Sequence, residues 1–325
     1  LGKATERIFL APIKVTLVPE IIDMEMPVEG VFHNLVIAQI RKDYAGQAQK
    51  VMNAMWGAGQ MMFNKILVIT DEHVKITDYL QLAKYVFENL NPATDIFFSQ
   101  GPMDVLDHSC SKLGFGGKMC IDGTKKFDEE IDEKSDVRSQ MSDVGIADNL
   151  KEIFSEIFHV NIDLLRKEIP CLIISVKKNR VGHIKELHQQ ICESVAGIKM
   201  ILYVEHTVDA NDLPIALWRF CNNLDPKRDY VLYKMQKTRN KDQQTSNEQP
   251  ATSNYSACIG FDGTRKTKEF DNFNRDWPNI IVADDKTIKA IDKKWNDLCI
   301  GEFISSPSLK FKDQLYGEEA TVSNE

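Results

Sequence analysis

No stretch of this chain stays apolar for the roughly 20 residues that a helix needs to cross a bilayer. It has no long basic run, no Cys-x-x-Cys pair and no His-Glu-x-x-His spacing. Each absence removes a class of function. The acidic balance, 48 Asp and Glu against 40 Lys and Arg for a formal charge of -8, argues against nucleic acid or an anionic membrane as partner. The seven cysteines (Cys110, Cys120, Cys171, Cys192, Cys221, Cys258 and Cys299) are scattered and odd in number. That pattern suits reduced thiols packed as small core residues in a cytosol, rather than a disulfide framework or a zinc site. We therefore expect a cytoplasmic protein with no membrane span and no protein-bound metal. The chain opens on Leu1 rather than Met, with no charged-then-apolar leader. It is expected to be a processed chain or an excised piece of a longer one.

What is present reads as an α/β protein. A length of 325 residues with 43% apolar and 27% charged residues is ordinary for globular chains and long enough for two cores. Residues 1–34 suggest a short helix stopped near Pro12, then extended segments and turns. Leu35 to Ile40 is a candidate strand. From Gln47 to Phe63, apolar residues at Ala48, Val51, Met52, Met55, Trp56, Met62 and Phe63 follow helical spacing. Ile66 to Thr70 is a continuous apolar run, as expected of a strand covered on both faces. Thr77 is a plausible cap for the amphipathic helix that follows, which Asn91-Pro92 ends. Ile96 to Phe98 returns as a strand, and strand–helix–strand at this spacing favours a parallel sheet with right-handed crossovers.

The unit then recurs. MILYVEHTVDANDLPIALWRFCNNLDPKRDYVLY, from Met200, parallels ILVITDEHVKITDYLQLAKYVFENLNPATDIFF, from Ile66, at an offset of 226 - 92 = 134. Asn211 is read as the cap in the second copy, with Pro214 in its first turn. Both copies rejoin at Ile121-Asp122-Gly123-Thr124-Lys125-Lys126 and Phe261-Asp262-Gly263-Thr264-Arg265-Lys266. They differ between these points. Copy one has a loop from Gly101 to Gly117, whereas copy two has residues 234–256 without Leu, Ile, Val or Phe, which read as flexible linker. The fold class expected is α/β with two tandem related subdomains, each a sheet with strand–helix–strand crossovers. Residues 1–126 form the first, 127–146 an acidic linker, 147–305 the second, degenerate unit with a C-terminal helix, and 306–325 a disordered tail.

Candidate sites are weighed against plainer readings. Gly114-Phe115-Gly116-Gly117-Lys118 matches neither the P-loop nor the dinucleotide glycine pattern. Its N–H groups could hold an anion, but a glycine-rich turn is the simpler reading. Asp71-Glu72-His73 lies past a strand end, where α/β sheets place ligands; acidic residues also end strands in water, and copy two keeps Glu205-His206 without the companion loop. Asp104, Asp107 and His108 cluster in the loop with Cys110 nearby, which is weak evidence for a catalytic pair.

The residues PEIIDMEMPVEGVFHN, the run from Val31 to Phe98, KMCIDGTKK, and the tail RDWPNIIVADDKTIKAIDKKWNDL resemble the C-terminal region of UbiD-type decarboxylases. LGKATERIF resembles the segment after that family's central domain. The resemblance covers about 1–126 and 258–300, and the second copy departs from the family's single unit. It implies the C-terminal part of a non-oxidative carboxy-lyase for an aromatic or unsaturated acid, such as a polyprenyl-hydroxybenzoate of quinone synthesis. The whole enzyme would use prenylated FMN with a divalent metal. The catalytic and metal-binding motifs of the family lie in parts not matched here, so no catalytic residue is expected in this chain and no tight cofactor binding. It would supply pocket closure and oligomer contacts to its own N-terminal and central domains and to further copies. The resemblance assigns Lys65 to the flavin phosphate, with an exposed lysine at a strand end as the plainer reading. It assigns Asp104, Val105, Leu106 and His108 to a substrate lid, Leu106 being its apolar contact. A non-catalytic assembly or regulatory module is the alternative.

Overall fold

The computed structural model describes residues 2–57, 59–131, 145–236, 255–316 and 321–322. Most of the acidic segment (132–144), residues 237–254 and parts of the C-terminal tail lie outside the described residues. The expectations of an acidic linker and of a flexible linker in the second copy fall largely there; that of a disordered tail over 306–325 falls there only in part, since Pro307–Gln314 is a 3-10 segment and Thr321–Val322 a short strand. Two compact units emerge, Leu1–Arg275 and Asp276–Glu325.

The larger unit begins with helix α1 (Gly2–Thr16), strand β1 (Ile21–Glu25), β2 (Leu35–Ile40) and α2 (Gln47–Trp56). Next come β3 (Ile66–Asp71), α3 (Tyr79–Asn89), β4 (Ile96–Pro102) and β5 (Phe115–Asp122). A second series follows: α4 (Ile146–Ile153), β6 (Ile157–Asn161), α5 (Asp163–Arg166), β7 (Cys171–Val176), α6 (His183–Ser194) and β8 (Met200–Glu205). Helix α7 (Leu213–Asn223), β9 (Tyr230–Gln236), β10 (Tyr255–Gly263) and α8 (Lys268–Asp271) complete the unit. The smaller unit contains β11 (Val282–Ala283), α9 (Asp285–Leu298), a 3-10 segment Pro307–Gln314 and β12 (Thr321–Val322). Trp295 of α9 packs edge-on against Phe303 within it.

Two five-stranded sheets stand in tandem with one strand order, β1-β2-β3-β5-β4 and β6-β7-β8-β10-β9. In each, three central strands run parallel and both edge strands run antiparallel. The expectation of a parallel sheet is thus corrected at its edges. Strand β4 does not lie beside β3 but pairs antiparallel with β5, so the parallel step runs from β3 through α3 and β4 to β5.

Alternation along the strands decides what is covered. Val36, Ala38, Leu67, Ile69 and Cys120 face a core with α1 and α2, while Ile66, Met119 and Ile121 face a second core. In the second sheet Leu172, Ile174, Ile201 and Tyr203 face α4 and α6. Cys171, Ile173, Met200, Leu202 and Phe261 join the core already containing Ile66 and Met119. Helices α3 and α7 lie in that shared core through Leu82, Val86, Ala216 and Phe220. The layers therefore run helix, sheet, paired helices, sheet, helix, which is why the central strands read as unbroken apolar runs.

Several local expectations shift. Helix α1 continues past Pro12 to Thr16. The helical spacing from Gln47 splits into α2 and a 3-10 segment Gly59–Phe63. Asp78 rather than Thr77 caps α3, accepting from the Gln81 N–H at 3.1 Å, and Asp212 rather than Asn211 caps α7. Carboxylates outcompete the neighbouring polar residues because each stands three residues before the amide it accepts from.

Candidate functional site

Leu35, Ile66 and Met119 lie in register at the N-terminal ends of the parallel strands. Lys65 and Lys118, just before Ile66 and Met119, and His33, two residues before Leu35, therefore meet at one sheet edge. All three are buried. Asn64 fixes the backbone around them: its amide donates to the carbonyls of His33 at 2.9 Å and Ile66 at 2.8 Å.

The Lys65 ammonium is fully buried and lies 2.8 Å from Asp107 Oδ2. It also donates to Ser109 Oγ at 3.2 Å and to the Asn222 carbonyl at 3.4 Å, near the C-terminus of α7. Burial alone would raise the Asp107 pKa, but attraction to Lys65 and hydrogen bonds from Lys65 and Ser109 outweigh it and hold the carboxyl below its ordinary range. Lys118 donates to the carbonyls of Met62 at 2.6 Å and Asn64 at 2.7 Å. Burial brings its pKa down to about 8, because neutral carbonyls do not repay the loss of hydration that a carboxylate would. His33 Nε2 stands 3.5 Å from Asp104 Oδ2, and burial holds its pKa below the usual value.

The cover over this edge is the loop 103–114 between β4 and β5. Its base is pinned to the second half of the unit. His108 Nε2 pairs with Asn223 Oδ1 at 3.1 Å, and Arg228 donates to the Ser109 carbonyl at 2.8 Å. Arg275 donates to the Cys110 carbonyl at 2.7 Å, and the Gly117 N–H donates to Asp225 Oδ1 at 3.1 Å. Only glycine permits that last approach, since a Cβ on Gly117 would sit 2.1 Å from Asp225 Oδ1 and 2.6 Å from the Lys227 nitrogen. The tip is different: Val105 and Leu106 are 67% and 85% exposed.

The expected site residues thus divide. Lys65 is not the exposed strand-end lysine of the plainer reading; it is enclosed by Asp107. Val105 and Leu106 stand in solvent, Asp104 faces His33, and His108 is held at the base, away from the tip. Gly116 and Gly117 belong to β5 rather than to an anion-cradling turn. Burial pushes the Cys110 thiol up to about 12, which removes it as a nucleophile beside His108. Lys118, weighed in the sequence only as the end of the Gly114–Lys118 run, is brought by the fold to this edge beside Lys65; its signal is a lysine inside an apolar, glycine-rich strand.

The opposite, C-terminal edge is filled by structural hydrogen bonds in both halves. Asp122 Oδ1 accepts from the Thr124 N–H at 3.0 Å and its hydroxyl at 2.5 Å, and Lys126 donates to the carbonyls of Asp122 and Thr124. Asp262, Thr264 and Lys266 repeat this arrangement. Burial would raise Asp262, but Lys266 and Lys178 bring it down to about 2. Asp71 accepts from the Tyr85 hydroxyl at 2.6 Å and the Lys125 N–H at 2.7 Å, and Glu205 accepts from the Arg265 N–H at 2.9 Å. A cavity of 460 Å³ beside Asp71, Glu72 and His73 lies over this network. The motif Asp-Gly-Thr followed by two basic residues therefore locks strand ends in each half.

Lys65 has a counterpart in Lys199, 134 residues later. Lys199 donates to the carbonyls of Phe87 at 2.6 Å and Leu90 at 2.8 Å, at the end of α3. Each half thus sends one lysine, Lys65 fully buried and Lys199 partly buried, from a strand start to the C-terminal end of the other half's central helix, where the partial negative charge favours a cation.

No helix is long and apolar enough to cross a membrane among the described residues. The fold brings together His188, Cys192 and Cys258, a meeting that sequence spacing does not show.

Residues 1–123 and 139–262 match the family model described as the 3-octaprenyl-4-hydroxybenzoate carboxy-lyase C-terminal domain. An uncharacterized protein of Helicobacter pylori strain J99 is 30% identical over 296 residues, 90% of this chain and 43% of that protein. An uncharacterized protein of Archaeoglobus fulgidus is 47% identical over 131 residues, 40% of this chain and 27% of that protein. The chain thus spans less than half the length of these curated relatives. Among solved structures, the UbiD-class enzyme HmfF from Pelotomaculum thermopropionicum in complex with FMN overlaps 44% of this chain and 31% of its own, at 21% identity and a TM-score of 0.35. The apo Klebsiella pneumoniae 3,4-dihydroxybenzoic acid decarboxylase overlaps 44% and 31%, at 16% identity and a TM-score of 0.35.

Proposed function

The chain belongs to the family of 3-octaprenyl-4-hydroxybenzoate carboxy-lyase C-terminal domains, and from that membership we propose that it is the C-terminal part of a UbiD-like non-oxidative decarboxylase. The observation that carries this reading is the family match across both halves of the larger unit. The substrate is an aromatic or unsaturated carboxylic acid, a polyprenyl-hydroxybenzoate of quinone synthesis being one candidate, in the cytoplasm. The whole protein works with prenylated FMN and a divalent metal, held mainly by N-terminal and central domains beyond this chain. The first half, through residue 126, carries the loop; the acidic segment separates it from a second half that clamps that loop and supports contacts between copies.

The N-terminal sheet edge fits a flavin phosphate. Two buried ammonium groups and an imidazole supply charge and donors of the kind phosphate recognises. Lys65 would hold the phosphate, with Asp107 the internal anion that it displaces. Bound there, prenylated flavin supplies the electron-accepting centre for loss of CO₂. This chain's own work is positional. His108 and Ser109 fix the loop base on the second half, Asp104 steadies it through His33, and Val105 and Leu106 close over the substrate to exclude water.

To test this, the chain is expressed with its upstream domains alongside a source of prenylated flavin. Flavin retention and CO₂ release from hydroxybenzoate and cinnamate-type acids are then measured. Retained flavin and CO₂ release, both reduced in Lys65→Met, are expected. A full-length protein that neither holds flavin nor releases CO₂ from any aryl or acrylic acid refutes the reading. The enclosure of Lys65 by Asp107 favours a second reading, a non-catalytic assembly or regulatory module. That reading gains if the polypeptide contains no flavin-binding domain upstream.

A further inference from the structure

The second half contains a cluster used by neither the sheet-edge chemistry nor the decarboxylase reading. His188 and Cys192 stand four residues apart on α6, hence on one face, and that face packs beside Cys258 of β10. All three side chains are buried, and their ligand atoms lie within 4.8 Å of one another. His188 Nε2 is 3.5 Å from Cys192 Sγ, and His188 Nδ1 is 3.1 Å from the hydroxyl of fully buried Tyr203. Gly260 leaves the room: a Cβ there would lie 2.5 Å from His188 Nδ1.

We propose that His188 Nε2, Cys192 Sγ and Cys258 Sγ form a site for a thiophilic d10 metal ion, with Zn²⁺ the best match. Three physical arguments converge. Zinc bonds of about 2.3 Å to sulfur and about 2.05 Å to nitrogen at tetrahedral angles put S and N about 3.5 Å apart, the separation found between His188 and Cys192. Two thiolates and a neutral imidazole carry two negative charges, which a divalent ion cancels; in an apolar interior that neutrality decides between an ion and bare thiolates. The imidazole also has its orienting partner, since the Nδ1–H donates to Tyr203 when Nε2 binds the metal. Without metal, Nε2 faces the Cys258 carbonyl at 3.2 Å, so binding exchanges one ring tautomer for the other. Two metal–sulfur bonds and one metal–nitrogen bond form, two S–H bonds break and their protons leave to solvent. Nothing is oxidised. Three soft ligands also suit Cu⁺, which the metal analysis separates.

The full chain is expressed with Zn²⁺ in the medium, desalted against a weak chelator and analysed by plasma mass spectrometry. A second preparation is refolded with Co²⁺ and its absorption recorded. Stoichiometric zinc or copper, and a thiolate-to-cobalt charge-transfer band, are expected. Cys192→Ser and Cys258→Ser should abolish both, whereas Cys120→Ser, at a buried cysteine of the first sheet, should keep them. Because a serine in the core can itself unfold the chain, Tyr203→Phe provides a gentler variant that should weaken Co²⁺ binding about tenfold or more with circular dichroism unchanged. Folded wild-type protein with no bound metal and no charge-transfer band overturns the proposal. So does a Cys192–Cys258 disulfide in freshly purified protein.

Discussion

Breaking the Lys65–Asp107 pair tests whether the loop base is a structural lock. The ammonium and carboxylate are 2.8 Å apart and both are buried. At an effective dielectric of about 20, their attraction is about 6 kcal/mol. Desolvation of each ion costs several kcal/mol, so the intact pair contributes little net. Removing one partner is another matter, because it leaves the other charge buried and uncompensated, at a cost of about 3–5 kcal/mol. Lys65→Met and Asp107→Asn should each lose that much. The double variant should recover most of it, since the amide oxygen introduced by Asp107→Asn could still accept from the Ser109 N–H that Asp107 now holds at 2.8 Å. Urea unfolding followed by circular dichroism and tryptophan fluorescence measures all four proteins. Single losses under about 1 kcal/mol, or losses that simply add in the double variant, refute the reasoning. The pH dependence gives a second arm. The Asp107 pKa is depressed in the folded state, so its stabilisation is fully present above the unfolded value of about 3.9 and is lost as pH falls through the folded one. The double variant should lack that acid limb.

Gly117→Ala should cost about 1–3 kcal/mol or more by thermal melt, because its new Cβ meets Asp225 and the Lys227 backbone rather than a side-chain tip that can swing away; an unchanged melt removes the close approach. Lys199→Met should loosen the end of α3, raising hydrogen exchange at Phe87 to Leu90, with about 1.5–3 kcal/mol lost for each charged hydrogen bond not replaced; unchanged exchange there defeats the helix-end role. Lys118 has a folded pKa of about 8, so between that pH and about 10.4 the unfolded chain binds the extra proton and stability should rise with pH. Lys118→Met should flatten this rise in melts taken across the range, and an identical slope in both proteins refutes the shift.

The α/β class, the repeat at an offset of 134 residues and most element positions were legible in the sequence, because they depend on local periodicity and on breakers such as Asn91-Pro92. The family was legible too, through matched segments in order. The edge strands were not, since an antiparallel β4 and a parallel one have the same apolar pattern; which neighbour β4 takes is settled by the route back to β5. Nor was the fate of Lys65. A strand-start lysine looks the same in sequence whether water, phosphate or carboxylate meets it, and Asp107 reaches it only because the loop folds back and the second half clamps that loop through Asn223, Arg228 and Arg275. His188 and Cys192 share a helical spacing visible in the sequence, but Cys258 joins them only when α6 packs across the sheet containing β10. The sequence by itself determined the repeated scaffold, because local patterns specify it twice. Tertiary structure alone decided which buried charges and thiols meet, because those meetings join residues that are distant along the chain.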